Sequence, residues 1–473
     1  MMKKTALVMA VCLGLTISFP GAVRAANGST IKVVSMDELE KDYPELGNSG
    51  KPDLNGRQTI NSGKVKKADK SAEKEEEEEE EKNNKKKKEI KDRKKKDNSQ
   101  KIRNVDKVNN LGPDISVGLI NGKVLVPITG LVDFKAVDLS GNELETYDAG
   151  TILTVTRDGS NIYINENDYS GPIILKAQDD KDSGAAFIVK GNKYRGSIKL
   201  LPSPQNAGVT VVNVLPMEEY LYGVVPSESV PTWKPNALRA QAVAARTYAL
   251  KHKNGFKSRG YDVTDTTESQ VYNGYSAETK ATNDAVDSTA GEIITYNGQP
   301  IDAVFSASAG GYTENSENVW GQVIPYLRGV KEEDTPEVKQ AWTSKVSLDT
   351  LQKNLGIGNL QEIRLSRLTS GPMFTGDRGV SGRVKRIIFV GSNGQKTITG
   401  DNFRRLFGLK STMFDFDLEG NTLMIYGYGW GHGLGMSQWG AEAMAEKHDK
   451  DDDDYYKDIL SHYYTDTEIT KIY

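Results

Sequence analysis

From Val108 to Pro216 the chain alternates short apolar runs with turn signals. The runs are ISVGLI, KVLVPI, TILTVTR, NIYINE, PIILKA, AAFIVK, GSIKLLP and VTVVNVLP, and among the turns are Asn121-Gly122, Ser140-Gly141 and Asp158-Gly159. Runs rich in β-branched residues and bounded in this way predict strands. The period then changes. From Pro235 to about His252, Leu238, Ala242, Ala245 and Ala249 fall at i, i+4, i+7 and i+11, the buried stripe of a helix. Pro235 suits the first helical position, and most of the stripe is small enough for very close packing. Arg239, Val243 and Arg246 form a second stripe on that helix. Just upstream, Tyr220–Ser229 reads as a segment ending in a Pro-Ser-Glu turn that presents Glu228. Further helices are predicted over about 277–289, from near Leu348, over about Gly400–Phe407 and from Gln438. A hairpin is predicted at Asn297-Gly298, and a β-rich stretch over 383–399.

Before Val108 the pattern differs. Lys3 and Lys4 precede an apolar run from Thr5 to about Phe19, followed by small residues around Ala25 and Ala26. Residues 1–25 therefore read as an export signal peptide or an uncleaved membrane anchor, the run being a little short for a spanning helix. Residues 26–107 have almost no aromatics, an acidic run at Glu75–Glu81 and basic blocks at Lys85–Lys88 and Lys94–Lys96. They read as a disordered Glu/Lys-rich linker, because such a segment buries too little apolar area to offset its ordering entropy. The expected fold class is α+β: a strand-rich part at 108–205 joined to a mixed α/β domain at 206–473.

Composition narrows the chemistry. The 473 residues carry a net charge of −4, so the whole molecule has no general attraction to nucleic acid. The single Cys, Cys12, lies in the N-terminal apolar run, which removes disulfides, a thiol nucleophile and a Cys-based zinc site from the remainder. No HExxH or GxGxxG frame supports a metallopeptidase or a dinucleotide loop.

Three stretches carry candidate chemistry. Glu228 followed by the helix with aligned arginines suits binding and acid–base work on a polar substrate. FSASAGGYTENSENVWGQVIPYLRGV, Phe305–Val330, combines short polar groups with the flat faces of Trp320 and Tyr326, a mixture suited to a sugar as well as to a polar surface loop. In YGYGWGHGLGMSQWGAEAMAE, Tyr426–Glu446, glycine recurs at 427, 429, 431, 433 and 435. In extended chain that leaves one face bare, to be met by another backbone or a ligand. His432 with Ser437 lacks the nucleophile-elbow frame of a Ser–His hydrolase.

These blocks resemble the SpoIID/LytB family. PMEEYLYGVVPSE with ALRAQAVAARTYAL is similar to the family's L-E-x-Y-L-x-G-V-V-x-S-E-M-P and A-L-K-A-Q-A-V-A-A-R-T-Y. The second block resembles F-S-A-x-x-G-G-x-T-E-N-S-E-x-V-W, the third G-x-G-x-G-H-G-x-G-M-S-Q-x-G-A, and KDILSHYYTDTEITKIY the closing I-L-x-H-Y-Y-x-x-T. The resemblance covers roughly 108–473. It implies a SpoIID-type catalytic domain and an exported lytic transglycosylase that cleaves the bond between N-acetylmuramic acid and N-acetylglucosamine in peptide-stripped peptidoglycan strands. Glu228 matches the catalytic glutamate. Arg239, where Lys is usual, and Arg246 match basic positions and are expected to face substrate rather than pair with Glu228, since a cation there would weaken the acid. Tyr326, His432, Ser437 and Gln438 are implied groove residues. No cofactor is implied, and no metal, because Thr264, Glu268 and Ser269 stand where some relatives hold Cys and His. The alternative within the family is a glycan-binding enhancer of an N-acetylmuramoyl-L-alanine amidase, which would make that amidase or a membrane complex a partner. Departures from the pattern are Ser229 in place of Met, Val230 before Pro231, and the charged run Lys450–Asp454, read as a solvated insertion. Sporulation and vegetative wall turnover both remain open.

Overall fold

The computed structural model describes residues 22–24, 30–34, 110–179, 184–448 and 452–473. The leader before Ala22, nearly all of the 26–107 linker and the start of the charged run at 450–454 lie outside them. The chain forms two compact units. Among the described residues, one unit takes 110–232, Gln241–Ile293 and Thr470–Tyr473; the other takes the N-terminal strands, Trp233–Ala240 and Ile294–Ile469.

In the first unit every predicted run forms a strand. A seven-stranded sheet runs in the order Val263–Thr264, Asp114–Lys123, Val209–Pro216, Ser197–Pro202, Ile173–Ala177, Phe134–Val137, Glu143–Tyr147. All neighbours are antiparallel except the first pair. Val209–Pro216, which the sequence groups with the following domain, is thus a central strand of this sheet. A six-stranded antiparallel sheet orders Asn192–Tyr194, Phe187–Val189, Val126–Gly130, Ile152–Asp158, Asn161–Ile164, Asn167–Ser170. Alternate residues point inward, so Leu153 and Val155 are buried while Ile152 is exposed. The strands absent from the sequence reading include Glu143–Tyr147 and Asn167–Ser170, which are sheet edges with no fully buried residue, hence no apolar alternation to read.

Helix α1, Met217–Glu228, follows directly on the central strand; α2 is Pro235–Lys251 and α3 is Lys280–Ser288. The α2 stripe of Leu238, Ala242, Ala245 and Ala249 is buried as its spacing predicts. The expected turn before Glu228 is corrected: α1 stays helical through Pro226 to Glu228. Pro226 lies in the last turn, so the missing N–H forfeits one helical bond close to where the helix stops anyway.

The second unit contains α4 (Ser316–Trp320), α5 (Pro336–Lys339), α6 (Leu348–Leu355), α7 (Gly400–Phe407), α8 (Gln438–His448) and α9 (Tyr456–Tyr463). Ser347 and Thr399 cap α6 and α7 by accepting the N–H of Thr350 and Asn402. Thr422–Gly427 is the middle strand between Trp342–Ser347 and Phe414–Glu419. A core of Trp342, Leu351, Phe389, Phe403, Phe414 and Ile425 binds these elements. Thr30–Val34, expected in the linker, is instead a strand paired in parallel with Leu360–Arg364, and Ile31 joins the core. The run TIKVV is rich in β-branched residues, which favour a strand. Among the described residues no helix is long and apolar enough to cross a membrane.

Candidate functional site

Glu228 is the last residue of α1 and is half-buried. Its Oε1 accepts the backbone N–H of Val271 at 2.6 Å, which fixes the plane of the carboxyl group. The final turn is secured from within: Ser227 Oγ donates to the Gly223 carbonyl at 2.6 Å and Ser229 Oγ to the Val225 carbonyl at 2.9 Å. Asn273 Nδ2 donates in turn to Ser227 Oγ at 3.0 Å, so the 270–273 segment is tied to this turn from two sides. Behind it Tyr220, fully buried, donates to Gln270 Oε1 at 3.1 Å; burial raises its pKa well above the usual range and the nearby Glu228 carboxyl adds to that. Ser229, the departure from the family's Met, thus acts as a C-terminal cap.

Arg246 does not face a substrate. Its guanidinium is buried and clasps both oxygens of Glu218 at 2.8 and 2.7 Å, and also donates to the carbonyls of Glu292 and Val286. Burial opposes its charge, but Glu218 more than offsets this and holds its pKa above the ordinary value. Glu218 further accepts the Gly291 N–H and the phenol of Tyr473. The expectation that both arginines point outward is corrected for this reason: position 246 falls on the buried side of α2, where a cation requires a partner. Arg239, one turn from the helix start, is half-buried and donates to the Asp453 carbonyl at 2.8 Å and its carboxylate at 3.2 Å. The charged insertion is therefore tied down there, although Asp452–Asp454 are exposed.

The implied groove residues at 326 and 432–438 have defined partners in the second unit. His432 Nδ1 accepts the Leu434 N–H at 3.0 Å and the ring also bonds the Phe305 backbone. Burial and the Arg383 guanidinium push its pKa down to about 4, so the ring is neutral at pH 7. Ser437 is buried; its Oγ accepts the N–H groups of Ala309 and Gly440 and it bonds Glu332, which is no arrangement for a nucleophile. Tyr326, half-buried, accepts the Asp302 N–H at 3.0 Å and tilts against Tyr296. Gln438 opens α8 and is buried. The polar run of the 305–330 block also turns inward. Glu314 is buried and accepts from the N–H groups of Val380 and Ser381 and the Ser381 hydroxyl, while Glu317 pairs with Arg328 at 2.7 Å. In the 264–269 segment, Ser269 Oγ accepts the Thr264 N–H at 3.1 Å and Glu268 reaches Arg259 at 3.8 Å.

The bare glycine face is met by protein. A Cβ on Gly427 would lie 2.1 Å from the Trp342 ring, and one on Gly429 2.8 Å from the Ser308 carbonyl. The opposite side chains are thereby turned outward: Tyr426, Tyr428 and Trp430 are 37, 38 and 51% exposed. Two parts of this picture escaped the sequence. The Val271 N–H has no side-chain signature. Glu218 stands in the first motif, but only the fold reveals it as the partner of Arg246.

Residues 205–296 match the model described as SpoIID, stage II sporulation protein, and residues 307–435 match a domain of unknown function. The stage II sporulation protein D of Bacillus subtilis is 34% identical over 63% of this chain and 90% of its own length. An uncharacterized protein of Brachyspira hyodysenteriae is 37% identical over 64% of this chain and 77% of its own. The amidase enhancer of Bacillus subtilis is 31% identical over 72% of this chain and 53% of its own. With 90% of a sporulation protein D covered at 34% identity, the chain belongs to the SpoIID/LytB family.

Proposed function

We propose that this protein is an exported peptidoglycan lytic transglycosylase with Glu228 as its single acid–base. Family membership supports a role at the cell wall, and the basic, apolar leader at 1–25 supports an extracytoplasmic one. The observation that carries the reading is the setting of Glu228: half-buried, at the end of a helix, with one carboxyl oxygen fixed by Val271.

Hydrolysis of a glycoside ordinarily uses two carboxyl groups, because a water has to be activated as well as a leaving group protonated. Intramolecular attack by the C6 hydroxyl of muramic acid removes the water. One carboxyl then protonates the departing glycosidic oxygen and next accepts the proton of that hydroxyl, forming the 1,6-anhydro ring. The Val271 N–H orients the carboxyl group for the first step and steadies the carboxylate left by it. Arg246 supports this indirectly by fixing α2 to α1 through Glu218.

The test is digestion of peptide-stripped peptidoglycan by the wild-type protein and by Glu228→Gln, with products read by mass spectrometry. Anhydro-muramic ends from the wild type alone are expected; reducing ends would replace the mechanism by a hydrolytic one. The second reading is a glycan-binding enhancer of an N-acetylmuramoyl-L-alanine amidase, favoured by the likeness to the amidase enhancer. It predicts no products from either protein, and faster release of stem peptides when an amidase is added.

A further inference from the structure

The 307–435 region contains a cavity of about 570 Å³, within the range of small-ligand sites. It is lined by Tyr312, Tyr426, Tyr428, Lys331, Lys339 and the loop 368–372, all outside the residues matched by the SpoIID model. Tyr426 and Tyr428 are turned out because Gly427 and Gly429 lie flush against Trp342 and Ser308, so their exposure is built in by the backbone. The acidic residues of the lining are already committed. Glu332 accepts from the Gly311 N–H and Tyr463, Asp415 from the Leu368 and Phe416 N–H groups, and Asp334 holds Lys339. Lys331 is exposed and makes no ion pair among the described residues. What remains for a ligand is a set of flat phenol faces, the hydroxyls of Thr369 and Ser370, and one available ammonium group. Phenol faces suit the C–H face of a pyranose, hydroxyls suit its ring substituents, and an ammonium suits a carboxylate attached to the ring.

We propose that this cavity is a glycan subsite that takes an amino-sugar ring on Tyr426 and Tyr428, with Lys331 directed at a sugar-borne carboxylate such as the lactyl group of muramic acid. The inference rests on the reading of peptidoglycan strands as the substrate. It assigns the 307–435 region the task of holding the strand, whichever chemistry occurs at Glu228.

The test uses the whole protein carrying Glu228→Gln, so that bound strands persist. Isothermal titration is run with a tetramer of N-acetylglucosamine and with peptide-free glycan strands containing muramic acid. Tyr426→Ala with Tyr428→Ala is expected to weaken both ligands by roughly tenfold, the scale of one or two lost stacking contacts. Lys331→Ala, an exposed site that leaves the fold alone, is expected to weaken only the muramic-containing strand. Tyr428→Phe should retain affinity, which separates stacking from loss of structure. Unchanged affinity in the double alanine variant, with an unchanged melting curve, would overturn the subsite. Wild-type protein that fails to cleave yet binds in a tyrosine-dependent way would overturn the role of Glu228 and leave the subsite standing.

Discussion

Arg246 on α2 and Glu218 on α1 form a two-pronged ion pair, 2.8 and 2.7 Å long, with side-chain exposures of 1% and 0%. A pair so placed is costly to break from one side, because the survivor remains charged, buried and unpaired. Arg246→Met is therefore expected to destabilise the fold by about 3–5 kcal/mol. Adding Glu218→Leu should restore much of that loss. Urea denaturation of the three proteins measures it. If Arg246 instead served substrate, the single variant would unfold like the wild type and lose affinity for glycan.

The second prediction concerns Glu228. Glutamine keeps an oxygen able to accept the Val271 N–H, so Glu228→Gln should fold with a stability change within about 1 kcal/mol. It cannot deliver a proton, and turnover on stripped glycan should fall by roughly 10²–10⁴-fold. Glu228→Asp keeps the acid but shortens its reach, and should lose activity through kcat while retaining KM. Equal activity of glutamine and glutamate would remove Glu228 from the chemistry.

Two glycines are expected to matter for different reasons. Gly427 closes the strand Thr422–Gly427 without a positive φ, and its added Cβ would meet the Trp342 ring at 2.1 Å. Gly427→Ala should cost about 1–3 kcal/mol by overpacking alone, and Trp342→Phe in the same chain should recover part of it. Gly298, in the turn between Glu292–Tyr296 and Gln299–Pro300, has φ +71° and open space around it. Gly298→Ala should cost only about 1–2 kcal/mol, from the left-handed backbone, and no neighbouring substitution should rescue it. Double-mutant cycles in denaturant separate the two cases.

Much of the fold was legible because its local signals agree with its packing. The runs from ISVGLI to VTVVNVLP are strands because each buries at least one face, and the small stripe of α2 is buried as its spacing predicts. α7 matches its predicted span, Gly400–Phe407. The site was legible only in part. Glu228 stands out as a candidate through its motif, whereas Arg246, His432 and Ser437 carry the same polar chemistry whether they face a ligand or a neighbour, and residue type does not tell these apart. Burial does, and burial depends on contacts such as Glu218–Arg246 and Ser437–Glu332 that lie far apart in sequence. The period-two glycines of 427–435 announced a close approach without naming the partners, which proved to be the side chains of Trp342, Ser306 and Arg383 and the backbone at Val304 and Ser308.

His432 provides the last prediction. Its pKa is lowered to about 4 by burial and by the Arg383 guanidinium, against 6.5 for the free side chain. Between those values the unfolded chain binds a proton that the folded chain refuses, so stability rises with pH across this window. The contribution is fully present above about pH 6.5 and is lost as pH falls toward 4. A shift of this size corresponds to at most about 3 kcal/mol, and partial solvent access at the half-buried ring reduces it, so about 1–3 kcal/mol is expected. His462, also lowered by burial, acts in the same direction, which makes the difference between variants more telling than the slope of either. His432→Asn retains an acceptor near the Nδ1 position for the Leu434 N–H and removes the titration. Its urea midpoint should therefore fall less than that of the wild type between pH 7 and pH 4.5. Parallel curves for the two proteins would show that the ring takes up its proton in the fold as readily as in the unfolded chain.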